Sequence, residues 1–96
     1  MTNDRVGSDI AQEITAPPAA DLRHGDVLIL GSNGWIHQFI GSAELEESLE
    51  TAVHDLVSEV HPVGVEYVTI ETADGREFTC HREAEVVVRR RIVATE

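Results

Sequence analysis

The chain contains no lysine; all seven of its basic residues are arginine. That absence removes the lysine-ended phosphate loop, Schiff-base chemistry and Ser-Lys dyads together. A single cysteine, Cys80, rules out an intrachain disulfide. There is no apolar run of membrane-spanning length, and the N-terminus has no secretory signal pattern, so the expectation is a cytoplasmic protein. Positive charge is scarce against 18 acidic residues, giving a formal net charge of −11. Nucleic-acid phosphate and anionic membrane both repel such a chain, which argues against either as partner. No internal repeat is visible.

What is present fits one small domain among the 96 residues. Residues 1–20 show no sustained period and end in Ala-Pro-Pro-Ala-Ala. They read as a flexible arm in which Ile10 and Ile14 could form a short amphipathic turn on binding. Residues 21–93 then carry the fold. A core of that size is marginal, and a homodimer would be a natural supplement.

Strand signals are frequent. Val27 to Leu30 is a short continuous apolar run, Ser32-Asn33-Gly34 is hairpin chemistry, and Trp35 to Ile40 reads as the return strand. Val65 to Thr72 alternates, Asp74-Gly75 is a second hairpin signal, and Glu77 to His81 returns with Phe78 and Cys80 on one face. Glu85 to Val93 is the last strand, with Val86 and Val88 together and Val87 opposite. Between them lies ELEESLETAVHDLVSEV, residues 44–60, with six acids and no base. Leu45, Leu49, Ala52, Val53, Leu56, Val57 and Val60 fall on one helical stripe, with Ser42 as N-cap and His61-Pro62 as stop. The spacing predicts a helix over 43–60, with Leu45, Leu49, Val53 and Leu56 in a core or dimer seam.

The resulting order is β-β-α-β-β-β, an α+β fold. The expected architecture is a small five-stranded antiparallel SH3-like barrel, with the helix outside the wall over the first two strands. An open, curved antiparallel sheet with the helix across one face is the alternative.

The Leu-x-x-Gly-Asp-Val opening at Leu22 to Val27, the Gly34-Trp35 strand, the Asp74-Gly75-Arg76 hairpin and the Val-rich strand ending in arginines resemble small proteins of actinobacteria and their phages. The similarity covers residues 21–91 apart from the helix. It implies a β-barrel fold and an accessory protein that binds another protein, and it carries over no catalytic residue.

Candidate chemistry is thin. His24, His37, His54, His61, Cys80 and His81 offer only one close pair, Cys80-His81, whose side chains point to opposite faces of a strand, so no metal site is expected. His54 and His61 could at most contribute to a weak surface site. Cys80 lacks an orienting group or an oxyanion loop, Asp26 reads as a cap for turn amides, and Ser42 as a helix cap. No catalytic residue and no cofactor are therefore expected.

Binding residues are better supported. Trp35 and Tyr67 are the large amphipathic aromatics, and for Trp35 core and interface both stay open. Tyr67 is expected on the outer face, under or near the helix. Glu44, Glu47, Glu50, His54 and Asp55 form the acidic back of the expected helix, and Glu46, in its first turns, joins Glu47, Glu50, His54 and Asp55 as a binding candidate. Five arginines lie within 76–91, with Arg89 and Arg91 on one face of the last strand and Arg90 on the other. The expected function is non-enzymatic recognition of a protein partner through the acidic face, a strand edge or both. Two alternatives are a nucleic-acid-linked regulator, either DNA mimic or weak DNA binder, and a structural or assembly component.

Overall fold

The computed structural model describes residues 10–51 and 53–93. Along the chain come β1 (Ile10–Thr15), a 3-10 turn (Ala19–Asp21), β2 (Val27–Ile29), α1 (Ala43–Thr51), β3 (His54–Val63), β4 (Tyr67–Thr72), β5 (Glu77–His81) and β6 (Val88–Val93). Every strand pairing is antiparallel, and the order across the sheet is β1-β6-β2-β3-β4-β5. The α+β class holds. The sheet stops at β1 and β5 without closing, so the architecture is an open sheet with one helix and not a closed barrel.

Each face of the sheet buries its own core. On one face Leu28, Leu30, Val57, Val68, Ile70, Phe78, Val86 and Val88 pack together, with Ala19, Leu22 and Ile36 from the connecting segments. On the other, Ile29 and Val87 receive Leu45 of α1, with Ile14, Ala16 and Leu49 around them. The adjacent valines Val87 and Val88 thus serve opposite cores, as period-two alternation requires.

The helix is half as long as its apolar stripe predicts. It ends at Thr51, and residues 54–63 form strand β3. A register shift between Val57 and Glu59 gives this strand its helix-like spacing. The bulge inserts an extra residue, so Val57 and Val60 both face the core although they are three apart. Three-residue spacing of apolar side chains imitates a helix. Ser58, at the bulge, donates its hydroxyl to the Glu71 carbonyl at 3.1 Å. Of the four expected seam residues, Leu45 is buried and Leu49 half-buried, while Val53 and Leu56 are about half exposed. His61 and Pro62 do not stop a helix but lie within β3.

Two further expectations change. The end of the supposed arm is strand β1, paired with β6 from Ile10↔Val93 to Thr15↔Val88; residues 1–9 lie outside the described region. Residues 35–40 are not a strand. They contribute one bridge, Leu30↔Ile36, and leave Phe39 and Ile40 exposed. The reason is topological: β2 already has β3 on one side and β6 on the other, so no edge is left for a return strand.

The local signals for turns and caps hold. Asp74-Gly75 joins β4 to β5 with Gly75 at φ 89°, a left-handed conformation that a side chain would strain. Ser42 caps α1 by accepting the Leu45 N–H at 3.0 Å.

Candidate functional site

Asn33 and Gly34 build the turn that presents Trp35. Gly34 takes φ 80°, and Asn33 Oδ1 accepts the Trp35 N–H at 3.0 Å. The indole meets Phe78 edge-on, with ring centroids 5.3 Å apart, and stays 43 % exposed. Trp35 is thus at once a cover for the core and an exposed aromatic surface.

Beside it lies a cleft of about 730 Å³ between the 31–37 loop and the helix. Leu30, Ile36, Val53 and Trp35 supply its apolar lining; Glu44 and Glu47 of α1, His37, Ser48 and Arg76 supply the polar one. Glu44 and Glu47 lie three apart and share a helix face. The Arg76 guanidinium is already engaged, 2.7 Å from Asp55 and 3.3 Å from Asp74. The cleft combines an aromatic face, an apolar floor and a rim on which the Glu44 and Glu47 carboxylates stand with His37 and Arg76.

Ser48 Oγ lies 3.0 Å from His37 Nε2, a nucleophile–base distance. The pair is better explained as a tether. Ser48 is buried within α1, where neighbouring main-chain N–H groups belong to helix bonds and do not converge as an oxyanion hole. Its carbonyl also meets His54 Nε2 at 3.2 Å. His37 and His54 thus fasten the helix to the preceding loop and to β3.

The expected acidic helix face is divided by the fold. Glu47 lines the Trp35 cleft, whereas Glu46 and Glu50 are exposed on α1 outside it. Asp55 belongs to β3 and is buried. It accepts from Arg76 Nη1 at 2.7 Å and from the Asp74 N–H at 3.3 Å. Burial works to raise its pKa, but hydrogen bonds from Thr72, Arg76 and the Asp74 amide, with the Arg76 charge, outweigh it and hold the carboxyl below its usual value. An unfolded aspartate takes up its proton near pH ~3.9, and folded Asp55 does so at lower pH. Its stabilisation is complete above the unfolded value and is lost as pH falls through the folded one. Thermal melts of wild type and Asp55→Asn between about pH 5 and pH 2 check this: the variant is expected to show the weaker pH dependence.

Arg89 and Arg91 pair with Ile14 and Gln12 of β1 and line neither cleft. Arg90 turns the other way. Its Nε and Nη2 grasp buried Asp26 at 3.0 and 2.8 Å, and Asp26 also accepts the Arg23 N–H at 2.9 Å. The turn-capping role expected of Asp26 is present, with an arginine added that its local sequence did not announce.

A second cleft, about 700 Å³, runs past His24, His61, Tyr67, Val65 and Arg82. Tyr67 is exposed and meets His81 edge-on at 5.7 Å, on the distant strands and not beneath the helix. At its margin Glu59 and Glu71 oppose each other across β3 and β4, and His61 Nε2 lies 2.9 and 3.2 Å from their carboxylates. Among the described residues these three are the set that could hold a metal ion, with ligand atoms within 4.8 Å. His61 also offsets the repulsion of two directly opposed carboxylates, which is sufficient reason for the cluster. His54, tied to Ser48, does not join it.

Cys80 is half-buried against the main core, and burial raises its thiol above the ordinary value, so it stays protonated and weakly nucleophilic at neutral pH. No helix among the described residues is long and apolar enough to cross a membrane. No protein-family model matches the chain, and neither a curated protein nor a solved structure does so.

Proposed function

We propose that the protein is a non-enzymatic binding module that takes a cationic side chain of a protein partner into the cleft between Trp35 and α1. The observation that carries this reading is the convergence there of a half-exposed indole with Glu44 and Glu47. A guanidinium or ammonium group is attracted both to an aromatic face and to carboxylates, and an apolar floor accommodates its methylene stem. The net charge of −11 would draw a basic partner toward the surface before contact. The resemblance to small actinobacterial and phage proteins points the same way, toward an accessory protein acting on a host protein. Pairing of Arg90 with Asp26 reduces the arginine run to Arg89 and Arg91, which weakens the DNA-binding alternative.

An array of short peptides, each centred on one side chain, tests the reading. Arginine- and lysine-centred peptides are expected to be retained over glutamine- and glutamate-centred ones. Trp35→Ala is expected to cost about 2 kcal/mol of binding, roughly 30-fold, with circular dichroism confirming that the variant is folded. Retention independent of peptide charge, or unchanged in folded Trp35→Ala, would refute the cleft as the binding site.

A further inference from the structure

Strand β5 ends the sheet, and among the described residues β4 is its one strand neighbour. The bonds framing the β4–β5 hairpin fix which main-chain groups face β4. Thr72 N–H donates to the Arg76 carbonyl at 3.0 Å, and Arg82 N–H to the Glu66 carbonyl at 2.8 Å. Even-numbered residues of this strand therefore bond inward, and the N–H and C=O groups of Glu77 and Thr79 and the N–H of His81 face away from the sheet, while the His81 carbonyl accepts the Ala84 N–H at 3.0 Å and keeps its second lone pair for a partner strand. Proteins usually protect such an edge with proline, lysine, a bulge or a covering segment. The segment Glu-Phe-Thr-Cys-His contains neither proline nor a basic long side chain, and its register with β4 runs unbroken from Tyr67↔His81 to Glu71↔Glu77.

The sequence of this edge is complementary to itself. Antiparallel pairing about a two-fold axis at Thr79 sets Thr79 against Thr79, Glu77 against His81 and His81 against Glu77. All three residues have exposed side chains on one face of the strand. His81 Nδ1 accepts the Glu83 N–H at 3.1 Å, which assigns the ring proton to Nε2 and leaves that atom free to donate to a carboxylate. On the other face, Phe78 would meet Cys80 of the second copy. That continues an apolar core in which Cys80 is still only half-buried.

We infer that the protein forms a homodimer by antiparallel pairing of β5 with β5 of a second copy, in the register centred on Thr79. The occupant of the edge is this chain itself because the pairing is self-complementary in its Glu77–His81 side-chain hydrogen bonds, in main-chain hydrogen-bond direction and in apolar face. A one-position slip would break all three, since it would send each side chain to the wrong face.

Two experiments test the proposal. In sedimentation equilibrium the wild type is expected to dimerise and Thr79→Pro to be monomeric with an unchanged circular dichroism spectrum. Proline is tolerated where the N–H faces outward from an edge strand, and it removes a donor the dimer needs. His81→Glu, which opposes two carboxylates, is expected to weaken the dimer on the order of tenfold, and the exchange Glu77→His/His81→Glu to restore it. Cross-linking reads the register without depending on the proline variant. Thr79→Cys/Cys80→Ser would place two thiols on directly paired residues with Cα atoms about 5.5 Å apart, within disulfide range, and is expected to oxidise to a covalent dimer. Wild-type Cys80 lies diagonally from its counterpart, about 7–8 Å away, and is expected to remain free. A wild type that stays monomeric at millimolar concentration overturns the proposal. So does a folded Thr79→Pro dimer, or a Thr79→Cys/Cys80→Ser chain that does not cross-link.

Discussion

Asp26→Ala is expected to lower folding stability by about 3 kcal/mol and the melting temperature by roughly 10–20 °C. The carboxylate is buried, and Arg90 is only 17 % exposed beside it. Removing Asp26 takes away both oxygens that fix the guanidinium and the acceptor of the Arg23 N–H. Arg90 would keep the Asp21 carbonyl at 3.3 Å and the more distant charges of Glu13 and Asp21, and a largely buried charge without a direct carboxylate partner is costly. The loss should come from that stranded charge more than from the value of the pair. Asp26→Leu combined with Arg90→Met is therefore expected to be more stable than Asp26→Ala alone. Urea unfolding of wild type, Asp26→Leu, Arg90→Met and the double variant measures the coupling. A double variant as unstable as the sum of the singles would contradict this account.

Leu45→Ala is expected to cost about 2–4 kcal/mol, whereas Leu56→Ser should cost less than about 1 kcal/mol. Leu45 is 2 % exposed and is the side chain by which α1 enters the core formed with Ile29 and Val87. Leu56 lies on β3, nearly half exposed. A helix running through residue 60 would put both on one buried stripe and make both substitutions severe. Thermal melts of the two variants thus distinguish a chain that turns into strand after Thr51 from one that continues as helix.

That contrast also marks what the sequence could reveal. Features that depend on a few adjacent residues were legible: the Ser42 cap, the Asp74-Gly75 hairpin and the opposed faces of Val87 and Val88. Features decided by distant partners were not. β1 has no pattern of its own and is held by its register with β6. The strand predicted at 35–40 fails because β3 and β6 occupy both edges of β2, which only the assembled sheet reveals. The bulge at Ser58 replaced alternation with a helical spacing and so concealed β3.

The candidate site was legible to the same degree. Trp35 and Glu47 were identifiable as an aromatic anchor and an acidic helix residue. That they share one cleft with Glu44 follows from how the 31–37 loop folds against α1. Asp55 looked like a surface acid because the helical reading placed it on an outer face. Its period-two position on β3 turns it inward, where Thr72 and Arg76 receive it.

Trp35 is the sole tryptophan of the chain, so its fluorescence reports on the proposed binding cleft directly. The decisive measurement is a titration with a short arginine-containing peptide and with the same peptide carrying neutral citrulline, each at low and high salt. The account predicts a saturable emission change with arginine, weakened by salt and by Glu44→Gln/Glu47→Gln, and little change with citrulline. An identical response to both peptides, or none to arginine, would contradict it.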